Sequence, residues 1–208
     1  RVYAGGTASS LFYSTTGTLS DWTSDSSSLS IPGPGKIQSV FKSADRLVAT
    51  KNSGVMFRWD GNILTDLTTR LGPTNAASIA DIEDYRIWGN RLGLFGFGGG
   101  KPELISKPIE PLLFNKNDTG IAAADFDNLI ATDYRYDYWL SVIDTVITED
   151  MYGRSYTNCV ILYDFQLNEF RTYTLRNRPT AILSYRAETG ELRLIFGSSN
   201  GQCYAYGL

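Results

Sequence analysis

The sequence contains no histidine. That excludes Ser-His-Asp and Cys-His nucleophile systems and any His-ligated zinc or haem. Catalysis would have to rest on carboxylates, tyrosine, lysine or arginine. Cysteine is scarce too. Cys159 and Cys203 lie in apolar, strand-like runs and read as small buried hydrophobes rather than a disulfide framework. No run of about 18 apolar residues is present, which excludes a helical membrane span. No Lys/Arg cluster stands out and the net charge is −3. Phosphate binding needs concentrated positive charge, so nucleic acid is at most a passing contact. The chain opens on Arg1 with no charged-then-apolar leader, and it reads as processed or cut from something longer.

What the sequence does have is aromatics and glycine: 13 Tyr, 10 Phe, 4 Trp and 20 Gly in 208 residues. Together these favour many short strands joined by tight turns. Helical periodicity is nearly absent, and a hairpin recurs instead. Its copies are Val2 to Gly6 with Leu11 to Ser14; Arg46 to Lys51 with Val55 to Trp59; Tyr85 to Gly89 with Leu92 to Phe97; Tyr138 to Val142 with Asn158 to Phe165; and Leu192 to Gly197 with Gln202 to Gly207. From the second copy on, a small or apolar strand precedes the hairpin: Ile37 to Phe41, Ser78 to Ile82, Ile121 to Phe126 and Ala181 to Tyr185. A more polar strand follows it, such as Ile63 to Leu67, Glu103 to Lys107 or Glu169 to Leu175.

Four strands recurring at roughly 40 to 55 residues are the pattern of propeller blades. The reading is therefore all-β: a β-propeller of about five visible four-stranded blades, forming one domain over residues 1–208 or part of a larger propeller. Small residues suit an innermost strand, where blades converge, and alternating apolar positions suit middle strands packed on both faces. A β-sandwich of similar hairpins is the competing arrangement. Copy one lacks an inner strand and copy five an outer one. The first and last blades are thus expected to be incomplete, with a strand supplied from elsewhere along Val2 to Gly6 or Gln202 to Gly207.

The succession RVYAGG…LFYSTTG…DW, RLVATKNSGVMFRW, GPTNAASIADIEDYRIW…PELISKPIEPLL, YDYWLSV…VILYDFQLNEF and LRLIFGSSNGQCYAYG resembles a family of tailed-phage virion proteins. In that family propellers serve as tail hub, nozzle or adhesion components. The resemblance runs from Arg1 to Leu208 and implies a structural part of a phage tail, located in the virion. It also implies other tail proteins as partners and a homo-oligomeric ring about the tail axis. It carries over no catalytic residue. The insertion Asp144 to Thr157 departs from the pattern and is expected to be a variable or contact loop.

Several motifs invite sharper readings. Ser14-Thr15-Thr16-Gly17…Trp22 is similar to the Asp-box of sialidase-like propellers, but Thr16 stands where the Asp belongs, and that box is a folding turn. Gly96-Phe97-Gly98-Gly99-Gly100-Lys101 suggests a phosphate loop, yet Phe95 occupies the first-Gly position and Pro102 follows the lysine, so a flexible loop is expected. Asp81-Glu83-Asp84 and Asp125-Asp127 close two inner strands. Strand alternation would put Asp81 with Glu83, and Asp125 with Asp127, on common faces lining a central channel. Such pairs could also hold Ca²⁺ or act as glycosidase carboxylates, but the arginines are scattered and form no substrate clamp. No metal or other cofactor is expected. Tyr134, Tyr136, Tyr138 and Trp139 belong to the densest aromatic stretch, expected to be a middle strand between blades; its sharper reading is a partner or glycan contact. The expectation is a non-enzymatic structural propeller of a phage tail, with host-glycan binding as first alternative and a sialidase-like hydrolase as second.

Overall fold

The structure is a computed structural model that describes residues 3–5, 9–14, 20, 27–114, 125–142 and 158–206. Among the described residues, eighteen strands form five antiparallel sheets, each a meander in chain order.

The first sheet holds β1 (Tyr3–Gly5), β2 (Ser10–Tyr13) and β3 (Ser27–Ser30). The second holds β4 (Ile37–Ser43), β5 (Arg46–Lys51), β6 (Met56–Trp59) and β7 (Leu64–Thr68). The third holds β8 (Ala80–Ile82), β9 (Tyr85–Asn90), β10 (Gly93–Phe97) and β11 (Glu103–Leu104). In the fourth are β12 (Leu129–Tyr134), β13 (Asp137–Val142), β14 (Cys159–Asp164) and β15 (Glu169–Thr174), and in the fifth β16 (Pro179–Arg186), β17 (Leu192–Ser198) and β18 (Cys203–Tyr206). We refer to the sheets as blades 1 to 5. One helical turn, α1 (Glu110–Leu113), follows blade 3. Among the described residues, no helix is long and apolar enough to cross a membrane.

The core lies between sheets, and strand alternation explains why. On β5, Ala49 packs with Leu11 and Ile31 of blade 1, while its neighbour Val48 faces Trp88, Phe95 and Phe97 of blade 3. On β9 the adjacent pair divides the same way: Trp88 faces Val48 and Met56 of blade 2, and Ile87 joins Tyr138, Leu140 and Ile161 of blade 4. On β13, Tyr138 and Leu140 turn toward blade 3 and Trp139 turns toward Leu194 and Phe196 of blade 5. Successive side chains of a strand point to opposite faces, so a continuous apolar run is what a sheet needs when covered on both sides. That geometry stacks blades face to face.

Side-chain hydrogen bonds join the same neighbours. The buried Lys51 ammonium donates to the Gly33 carbonyl at 2.7 Å and to Ser9 Oγ at 3.1 Å. Arg58 of blade 2 donates to the Gly99 carbonyl at 3.2 Å. Tyr138 of blade 4 donates to the Ser78 carbonyl at 2.8 Å, and the Asn75 amide to the Leu129 carbonyl at 2.7 Å. Blades 4 and 5 are joined by Thr132 Oγ1 and Ser184 Oγ at 3.3 Å.

The structure corrects several expectations. Of the expected inner strands, Ile37 to Phe41 and Ala181 to Tyr185 lie within β4 and β16, and Ser78 to Ile82 contains β8. The fourth is misplaced. Residues 121–124 lie outside the described residues, Asp125–Asn128 form a 3-10 turn, and the first strand of blade 4 is β12. Tyr134 to Trp139 is not one strand either. It is a hairpin in which Arg135 and Tyr136 have φ of 53° and 69°, so the chain reverses between β12 and β13. Two consecutive positive φ values are what a type I′ turn requires. Glu103 to Lys107 shortens to the two residues of β11, with a 3-10 turn beginning at Lys107. Cys159 is buried, but Cys203 is exposed on β18, and both are free thiols. The Thr15 to Leu19 turn, Trp22 and the insertion Asp144 to Thr157 lie outside the described residues.

Candidate functional site

The aromatic stretch divides by burial. Tyr134, Tyr138 and Trp139 are buried at 5%, 0% and 2% exposure, whereas Tyr136 at the turn is 49% exposed. Trp139 stacks on Tyr173 with centroids 5.4 Å apart and meets Tyr206 edge-on at 4.9 Å. Tyr134 and Trp139 pack into the seam between blades 4 and 5 and Tyr138 into that between blades 3 and 4, so within the stretch Tyr136 alone among the aromatic rings is exposed. Arg135 lies over the Tyr134 ring at 5.1 Å, a cation–π contact that covers it from outside.

The carboxylates are placed differently from the expected pairs. Asp81 is an exposed residue of β8, bonded to the Arg86 guanidinium at 2.8 Å. It borders an open cavity of about 390 Å³ walled by residues of β4, β8 and β12, with Asp133 on the same wall. Glu83 has left the strand: it sits in the turn with φ 56°, so it shares no strand face with Asp81. Asp127 belongs to the 3-10 turn before β12 and pairs with Arg91 at 2.6 Å. Asp125 lies in that turn too, so strand alternation does not apply to the two. No group of three or more acidic or cysteine ligands that could hold a metal occurs among the described residues.

Gly96 and Phe97 are the last residues of β10 rather than part of a loop. A Cβ at Gly96 would overlap the Tyr85 ring. The glycine there makes room for an aromatic side chain, not for a phosphate.

Reading the sequence missed a second place. The link between β15 and β16 and the turn between β17 and β18 enclose a cavity of about 470 Å³ at one end of the blade 4–blade 5 seam. Its residues come from Leu175 to Pro179 and from Phe196 to Tyr204, two segments with no shared motif. The only signal was the amide-rich and aromatic run Ser198-Ser199-Asn200-Gly201-Gln202-Cys203-Tyr204, read simply as a turn and strand.

No protein-family model matches the chain, and no curated protein matches it significantly. Solved structures do. The computationally designed protein Ika8 superposes with a TM-score of 0.58 at 12% identity, covering 99% of this chain and 55% of that one. BBS1N, solved in complex with ARL6DN, superposes with a TM-score of 0.56 at 9% identity, covering 98% of this chain and 58% of that one. BBS1N is a β-propeller. The fold is a β-propeller. At these identities the likeness concerns the fold alone, and this chain spans a little over half the length of either structure.

Proposed function

We propose that this propeller is a rigid, non-catalytic component of a phage tail, set among other tail proteins and repeated as a ring about the tail axis. The observation that supports this reading best is the joining of successive blades. Each described neighbouring pair shares a buried apolar cluster and at least one side-chain hydrogen bond. A stack so joined resists opening and transmits force from one contact surface to another, which suits a part that holds other parts in place. The sequence resemblance to tail propellers supports the same role. The test is imaging of purified virions in which this chain carries a small fused label. Label density in a ring on the tail axis is the expected result; particles without label, or label away from the tail, would overturn it.

A second reading, attachment to host-surface glycan, draws on the cavity at the blade 4–blade 5 seam rather than on the aromatic stretch first suspected. Hydrolysis finds less support: Asp81 and Asp127, in separate elements, are each bonded to an arginine. Turnover of a glycoside abolished by Asp81→Asn would count against the non-catalytic part of the proposal.

A further inference from the structure

We infer that the cavity between blades 4 and 5 is a saccharide-binding site, reading vicinal hydroxyl groups through a cluster of side-chain amides around the Tyr204 phenol. The inference rests on the glycan-attachment reading and names its site; it stands without the tail placement.

The Tyr204 phenol is the hub of the cluster. Its hydroxyl accepts from the Asn200 amide at 2.8 Å and from the Asn177 amide at 3.1 Å, and donates to Gln202 Oε1 at 2.8 Å. Asn200 also accepts from the Gln202 main-chain N–H at 3.0 Å, which fixes the turn under the cluster. Each side-chain amide carries both donors and acceptors, and the cluster uses only part of them. Among the described residues, Asn177 Oδ1 and Gln202 Nε2 have no protein partner, so an acceptor and a donor remain for a ligand. The Ser198 hydroxyl borders the same cavity. It is buried at 8% exposure and has no hydrogen-bond partner among the described residues. A buried polar atom without a partner is costly to a fold, and a hydroxyl-bearing guest would relieve it.

The rest of the cavity fits the same guest. Leu175 and Phe196 supply an apolar floor, and the exposed ring of Tyr204 supplies a flat wall for the C–H face of a sugar. No described lining residue is acidic, so the cavity is not built for a metal ion. A volume of about 470 Å³ falls within the range of about 300–1,000 Å³ usual for small-molecule sites. Vicinal hydroxyls, each both donor and acceptor, are the complement of amides placed side by side.

The test is a glycan array carrying neutral and acidic saccharides, probed with the whole chain and with two separate variants, Asn177→Ala and Gln202→Ala. Thermal melting of each variant checks that it is folded. We expect binding to a defined subset of saccharides. Each folded variant should weaken it about tenfold, the scale of one lost hydrogen bond. Binding that survives unchanged in both folded variants would overturn the site while leaving glycan attachment intact. An array without any bound saccharide would overturn both. Should one variant unfold, the other decides alone.

Discussion

Tyr138 in blade 4 donates its phenolic proton to the main-chain carbonyl of Ser78, ahead of blade 3, at 2.8 Å, while its ring is wholly buried among Ile87, Leu94 and Ile161. Removing the hydroxyl keeps the packing and takes one buried partner from the Ser78 carbonyl. Tyr138→Phe is therefore expected to lower unfolding free energy by about 1–3 kcal/mol. Tyr138→Ala opens a cavity as well and should cost about 3–5 kcal/mol. Urea titration of the three proteins checks both values. Equal stability of Tyr138→Phe and the parent would show that the bond does not join the blades.

The same seam sets an alkaline limit. Burial pushes the Cys159 thiol up to about 12 and raises the Tyr138 phenol well above its ordinary value. Both groups stay neutral in the fold, while the unfolded chain ionises them near pH 9 and 10. Their contribution is then complete below pH 9 and is lost as pH rises toward 12. Lys51 acts in the opposite sense, because burial lowers its pKa and its charge is disfavoured in the fold. Unfolding midpoints measured from pH 7 to 11 should fall beyond pH 9. Cys159→Ala should flatten the first part of that fall and Lys51→Met should steepen it. A wild-type midpoint unchanged to pH 11 would refute this account.

Where the sequence was legible, the reason was packing on two faces. Val48-Ala49 on β5, Ile87-Trp88 on β9 and Tyr138-Trp139 on β13 bury neighbouring apolar side chains on opposite faces, and that marks middle strands whatever their neighbours. The inner strand of blade 4 could not be told apart this way. Ile121 to Phe126 and Leu129 to Tyr134 are both short, small and apolar, and only the pairing of Leu129 with Val142 selects the second. Arg135-Tyr136 escaped notice because neither is the glycine or asparagine that advertises a type I′ turn. The amide cavity was illegible for another reason. Asn177 and Tyr204 meet because β16 pairs with β17 and β17 with β18, a pairing across the sheet that leaves no local trace in either segment.

The unadvertised turn is itself testable. Tyr136 holds φ 69° with its side chain half in solvent. The left-handed conformation costs an L-residue about 1–2 kcal/mol relative to glycine. Tyr136→Gly is expected to raise unfolding free energy by about 1 kcal/mol, once glycine's greater unfolded-state entropy is set against the relief. A loss of stability of that size would instead show that the ring of Tyr136 makes contacts that hold the hairpin.

One residue beyond that turn, Asp137 on β13 sits directly opposite Asp164 on β14. Asp164 is well occupied: its Oδ1 accepts from the Gln166 and Leu167 main-chain N–H groups at 3.1 and 2.9 Å, and Arg171 approaches its Oδ2 at 3.5 Å. Asp137 bears the conflict. Desolvation first, and then the charge of Asp164, raise its pKa above the ordinary carboxylate value. Its ionised form is thus disfavoured in the fold, a penalty that is complete at neutral pH and vanishes once both states are protonated. Like charges directly opposite on paired strands cost about 0.2–1 kcal/mol. Asp137→Asn should stabilise the protein by that amount at pH 7 and by progressively less toward pH 3, read from urea midpoints of variant and parent at each pH. Asp164→Asn should behave differently, because it removes the same repulsion but weakens the Arg171 contact and the turn through Gln166 and Leu167. Stabilisation by Asp164→Asn equal to that by Asp137→Asn would mean that repulsion alone governs the pair and that the turn bonds of Asp164 contribute nothing.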